Sequence, residues 1–114
     1  MPCLIIKTNQ AMNEQEKNNF CLSVSAITAE LLGKPESYVM TLLEASMTMT
    51  MSGTTEPAAY VELKSINLPE NETSTLSGNL CQHIGDSLKI DSNRIYIEFS
   101  NAQRHLWGWD GRTF

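Results

Sequence analysis

No stretch of this chain approaches the ~20 consecutive apolar residues of a membrane-spanning helix. No basic segment followed by an apolar run of roughly 7–15 residues opens it either, so neither a span nor a secretory leader is expected. Cations are few: eight Lys and Arg stand against thirteen Asp and Glu, a net charge of −5, with no basic cluster. The phosphate-neutralising surface that DNA or RNA requires is missing, which excludes nucleic acid as a partner. Cys3, Cys21 and Cys81 are odd in number and widely spaced. That fits neither a disulfide framework nor a zinc site and points to free thiols in a reducing compartment. The cytoplasm is the expected location, with non-classical export left open. No Gly-rich phosphate loop, GxSxG elbow or HExxH helix occurs, so the familiar chemistries those motifs carry are set aside.

What is present suits one folded domain over residues 1–114. Hydrophobic residues make up 41% and charged residues 18%, a globular balance at a length that supports a single core. Asn13 followed by Glu16 resembles a capping box, and Phe20, Val24, Ile27 and Leu31 recur on one helical face, predicting a helix over about 13–32. Gly33 and Pro35 in "GKPE" end it, through a left-handed glycine and a residue that cannot continue the helix. Leu76, Leu80, Ile84 and Leu88 mark a second helix over about 72–89. Asn71-Glu72-Thr73, a sequon by pattern, reads as the polar turn that opens it.

Each helix is preceded by an apolar strand, "CLII" or "AAYVEL", and followed by another, "YVMTLL" or "RIYIEF". The two units align at an offset of 56–57 residues, Leu4 and Ile6 with Val61 and Leu63, and Val39 with Ile95. Two βαβ repeats of this kind predict an α/β (α+β) fold: a four-stranded mixed sheet of two parallel pairs, with both helices on one face. "YVMTLL" and "CLII" are apolar at successive positions, the pattern of strands buried on both sides. The second sheet face is therefore expected to be covered by other subunits, in a homo-oligomer with sites shared between them.

Met47, Met49 and Met51 alternate with Thr. They could form a soft-metal stripe, but gap-filling in a loop or strand edge is the expected role, and no metal site is assigned. His83 and His105 lack further ligands at metal spacing and read as surface residues. Lys34, in the last turn of the first helix, suits the free carbonyls there. Pro2 has two readings. Proline is tolerated at the first residue of a strand. Alternatively, removal of Met1 exposes a secondary amine, and burial or a nearby cation would lower its pKa until it serves as a neutral general base.

Five segments together carry a resemblance: Pro2 opening a strand, "GKPESYV" after the first helix, "EP" and "LKSI" within 56–66, "RIYIEF", and "WGWDGRTF" at the end. In order and spacing the whole chain resembles the macrophage migration inhibitory factor family of the tautomerase superfamily. The resemblance implies a homotrimer whose three sheets form a central barrel. It also implies keto–enol tautomerisation of 2-keto acids such as phenylpyruvate, and of dopachrome-type substrates, without a cofactor. By the same resemblance Pro2 is the base and Lys34 holds the substrate carboxylate while helping to keep Pro2 neutral. The Ile66 N–H adds a hydrogen bond, Ser65 and Lys64 lie beside the pocket, and Tyr96 arrives from the adjacent subunit. Tyr38, Trp107, Trp109 and Phe114 supply an aromatic wall suited to a phenyl-bearing substrate.

Departures from the family pattern carry expectations of their own. Glu98 stands where well-known members carry Asn and would raise the pKa of Pro2 unless paired. Lys64, in place of a family histidine, is the candidate partner, and an altered substrate profile or pH optimum is expected. Ala58 and Val61 occupy the positions of the CxxC motif of mammalian members, so thiol-oxidoreductase activity is not expected. Two alternatives remain open: a cytokine-like signalling or interaction protein with a vestigial pocket, and a dehalogenase or decarboxylase of the same superfamily. The latter typically add arginines around the pocket, whereas Arg94, Arg104 and Arg112 all fall late in the chain.

Overall fold

The computed structural model covers residues 1–114. Its first repeat is strand β1 (Pro2–Thr8), helix α1 (Glu14–Leu32) and strand β2 (Met40–Glu44); the second is β3 (Ala59–Ile66), α2 (Thr73–Leu88) and β4 (Ile95–Ala102). A terminal hairpin, β5 (Gly108–Trp109) and β6 (Arg112–Thr113), follows. The sheet order is β2-β1-β3-β4. β1 is parallel to β2 and β3 to β4, while the two repeats meet through the antiparallel pair β1/β3. No helix is long and apolar enough to cross a membrane.

The helix limits follow from local chemistry. Glu16 N–H donates to Asn13 Oδ1 at 2.8 Å and Asn13 N–H donates to Glu16 Oε1 at 3.0 Å, so the capping box closes in both directions. At the other end Gly33 takes φ 62°. Its N–H donates to the Glu30 carbonyl and the Lys34 N–H to that of Ala29, which satisfies the last carbonyls of α1 and fixes where Lys34 leaves the helix. In α2, Leu76, Leu80, Ile84 and Leu88 are all buried. In α1, Phe20 and Val24 are buried, with Ile27 and Leu31 packed at the edge of the core.

Leu4, Ile6, Val61, Leu63 and Ile95 point from the sheet into that same core, because side chains two apart along a strand share a face. The opposite face carries Cys3 and Ile5, Met40 and Leu42, Tyr60, Glu62 and Lys64, and Tyr96 and Glu98. In the single chain this face is uncovered. β2 is an edge strand whose Met40 and Leu42 are 61% and 44% exposed, and the β3–β4 half of this face is charged. Tyr38 also falls outside the strand "YVMTLL": it ends a 3₁₀ turn over Glu36–Tyr38, since Pro35 delays strand pairing until Met40. Met47, Met49 and Met51 lie half-buried in the β2–β3 connection. His83 is half-buried, its Nε2 2.8 Å from Ser23 Oγ of α1, and His105 is exposed.

Candidate active site

Pro2 is the first residue of β1, an interior strand, and is fully buried. Strand register sets its neighbours: Pro2 lies opposite Ser65 on β3, and Cys3 lies opposite Met40 on β2. Lys34 reaches the same point from the end of α1. Its ammonium donates to Ser65 Oγ at 2.9 Å and to the carbonyl of Ile66, and Ser65 Oγ donates to that carbonyl at 3.0 Å. Both acceptors are neutral, so the Lys34 charge has no carboxylate partner within the chain.

Beside this cluster opens a cavity of about 400 Å³ lined by Met1, Pro2, Cys3, Tyr38, Trp109 and Phe114 among others, with no acidic residue in its wall. The volume lies within the range of small-molecule sites. Trp109 and Phe114 stack at 5.4 Å and 11°, and Tyr38 meets Trp109 edge-on at 5.5 Å and Phe114 at 6.2 Å. The terminal hairpin is folded back to make this wall, closed by the Phe114 N–H donating to the Trp107 carbonyl. Arg112 lies 4.9 Å over the Trp109 ring, a cation–π contact that braces the indole from the rim.

The electrostatics favour a neutral amine here. Burial lowers the pKa of the Met1 amine below its ordinary value, and the Lys34 charge, a hydrogen bond to Lys34 and the charge of Arg104 lower it further. Lys34 is lowered first by burial and also by Arg104, with its hydrogen bond to the N-terminus acting the other way. Burial also raises the Cys3 thiol.

The sheet register separates the remaining residues. Tyr96, 65% exposed, and Glu98 face the open side of β4, away from the cavity of the same chain. Glu98 is paired, but not with Lys64: it accepts from the Tyr60 hydroxyl at 2.7 Å. Lys64 instead meets Glu62 at 3.6 Å on the open face. The reason is register, which places Glu62 directly across from Glu98 and Ser100 across from Lys64.

The profile of the macrophage migration inhibitory factor family matches residues 1–114. The chain belongs to the macrophage migration inhibitory factor family. A homologue of that factor from Trichuris trichiura is 35% identical across the full length of both chains. Among solved structures, the homologue from Prochlorococcus marinus is 43% identical, covers 98% of each chain and superimposes with a TM-score of 0.91. That of Trichinella spiralis is 32% identical over 98% of this chain and 99% of its own, with a TM-score of 0.89. Membership places the chain in the tautomerase superfamily.

Within this family fold, Pro2, Tyr38, Trp107, Trp109 and Phe114 meet in one cavity, and Lys34, Ser65 and Ile66 form the polar cluster next to it. Sequence reasoning missed Cys3, Ser37, Val39 and Met40 as wall residues. Register with β1 carries Met40 there, opposite Cys3, and no local pattern marks it. It also passed over Arg104, whose charge is felt by both amines.

Proposed function

We propose that this protein is a cofactor-independent keto–enol tautomerase acting on aromatic 2-keto acids, with phenylpyruvate as its model substrate and Pro2 as general base. The carrying observation is the placement of Pro2 in the wall of an acid-free aromatic cavity, next to a Lys34 ammonium that no carboxylate pairs; the amine now at this end of the chain, that of Met1, is held below its ordinary pKa. With Met1 attached, the Pro2 nitrogen is an amide whose lone pair is delocalised, and it cannot accept a proton. Removal of Met1 frees the secondary amine at the cavity wall.

The proton inventory closes without an oxidant or reductant. The neutral Pro2 nitrogen takes the proton from the carbon next to the ketone, and the electron pair of that C–H bond becomes the enolate double bond. The same proton, returned to oxygen, gives the enol. Positioned proton transfer of this kind contributes roughly 10²–10⁴-fold. The Lys34 ammonium pairs with the substrate carboxylate, the Ile66 N–H adds a hydrogen bond, and Tyr38, Trp109 and Phe114 enclose the phenyl ring. In the proposed homotrimer the open sheet faces line a central barrel, and Tyr96 of one subunit completes the site of the next.

The test is phenylpyruvate tautomerisation followed by absorbance across pH, on protein whose N-terminus is defined by intact mass. Turnover is expected in Met1-free protein and absent in protein that retains Met1 or carries Pro2→Gly. Full turnover in the Pro2→Gly variant would remove Pro2 from the mechanism. No turnover in processed protein would point to the interaction-protein alternative.

A further inference from the structure

A hydroxyl ends the core-facing row of β3. Side chains two apart on a strand share a face, and Ala59, Val61 and Leu63 are all buried on this one. Ser65 is the next residue of the row, is equally buried, and stands directly across from Pro2. An apolar side chain would simply continue the core here. A buried hydroxyl costs stability unless its hydrogen bonds are made, and at this position they are made to the residues of the site.

A serine hydroxyl has one proton to give, and Ser65 Oγ donates it to the Ile66 carbonyl at 3.0 Å. Toward Lys34 it can then only accept, and the ammonium donates to it at 2.9 Å. The ammonium also donates to the Ile66 carbonyl. These two contacts fix the end of a long, flexible stem beside Pro2. An ammonium carries three donors. Ser65 and Ile66 take two of them, and the third serves the Met1 amine while Met1 is attached. Removal of Met1 leaves that donor for a substrate.

Neither group that holds the ammonium is charged, so Lys34 is fixed in place without being neutralised. A carboxylate at position 65 would hold it as well, but would compete with an anionic substrate for its charge. We infer that Ser65 is a positioning residue: its hydroxyl orients the Lys34 ammonium so that the remaining N–H meets the substrate carboxylate. This rests on the proposed tautomerase site and adds a residue that acts through Lys34 rather than on the substrate.

The experiment is a double-mutant cycle on Met1-free protein: wild type, Ser65→Ala, Lys34→Ala and the two together. Each is titrated calorimetrically with phenylpyruvate and with its neutral methyl ester. Ser65→Ala should fold, since the Ile66 carbonyl still accepts from Lys34. It is expected to weaken binding of the acid roughly three- to tenfold, through loss of one hydrogen bond to a charged group, while ester binding stays unchanged. On the Lys34→Ala background the same substitution should weaken acid binding no further, because residues that act through one another are not additive. Ester binding by the double variant shows that its cavity is formed; if that variant does not fold, the comparison of acid with ester in Ser65→Ala decides alone. Unchanged acid binding in Ser65→Ala, an equal loss for acid and ester, a loss of the same size without Lys34, or no acid binding by wild type would each overturn the role. Turnover is scored separately: a wild type that binds the acid in the expected pattern without tautomerising it sinks the tautomerase reading and leaves the positioning of Lys34 standing.

Discussion

Glu62 and Glu98 face one another across β3 and β4, an arrangement of like charges that costs stability unless something lies between them. The Tyr60 hydroxyl does, at 2.7 Å from Glu98 and 3.3 Å from Glu62. The hydrogen bond to Glu98 is the first cause of a Tyr60 pKa pushed up from 10.0 to about 12. The neutral phenol is the favoured form, so its stabilising contribution is complete below pH 10 and lost as pH rises through about 12. A phenolate absorbance titration should show one of the three tyrosines ionising late, and Glu98→Gln should bring that ionisation back down toward 10. An unchanged titration in Glu98→Gln would break the assignment. Within the chain the Glu98 carboxylate is engaged at Tyr60 and is not among the groups acting on the Met1 amine. Lys34 is the strongest charged neighbour of the Met1 amine, and it is expected to act in the same sense on the Pro2 amine that Met1 removal frees. A nearby cation favours the neutral, active amine, so Lys34→Ala should move the ascending limb of the pH–rate profile to higher pH. It should also raise KM for phenylpyruvate roughly 10–100-fold through loss of a charged hydrogen bond. The variant should fold, because the Ile66 carbonyl still accepts from Ser65. An unmoved limb would mean that Lys34 binds substrate without tuning the base.

At the scale of elements, the two repeats end their helices in the same way with different residues. After α1 the left-handed position is Gly33 at φ 62°; after α2 it is Lys89 at φ 60°, with the Ile90 N–H donating to the Gly85 carbonyl. Glycine adopts that conformation at little cost and lysine does not. Lys89→Gly should therefore stabilise the fold by roughly 1 kcal/mol, and Gly33→Ala should destabilise it by a similar amount. A Cβ at Gly33 meets nothing within 4 Å, so denaturant unfolding would read backbone strain alone. Opposite signs in the two variants are the expected result, and a neutral Lys89→Gly would contradict the argument. These helix ends were legible in the sequence because their signals are local: Asn13 with Glu16, Gly33 with Pro35, and an unbroken Leu76–Leu88 stripe. The start of β2 was less so, since Tyr38 continues an apolar run in sequence yet is held in a turn. The site was legible only in part. Pro2, Lys34 and the C-terminal aromatics were found through the family resemblance, which carries long-range information that periodicity does not. The partner of Glu98 depends on which residues β3 and β4 bring into register, and nothing within a short window of sequence records that.

For the whole molecule, the face of the sheet opposite the helices decides what the single chain leaves unfinished. Met40, Leu42 and Tyr96 are 61%, 44% and 65% exposed there, beside Cys3 and Ile5, and an apolar surface on that scale is a place for association. The proposed trimer covers it and brings Tyr96 to a neighbouring cavity that its own chain does not let it reach. Native mass measurement should then give three copies of the 12.7 kDa chain. A shared site makes a sharper prediction than the mass. Subunits carrying Pro2→Gly lack the base, and subunits carrying Tyr96→Ala lack the donated phenol, so each homotrimer should be impaired. In trimers assembled randomly from equal amounts of both, a site that takes its proline from one subunit and its tyrosine from the next is intact about a quarter of the time. Co-expression should therefore restore turnover toward that fraction of wild type. If each chain supplied its own tyrosine, no mixture could contain an intact site. Activity of the mixture no higher than the average of the two parents would then place the whole site within one subunit and leave Tyr96 with a role in the barrel alone.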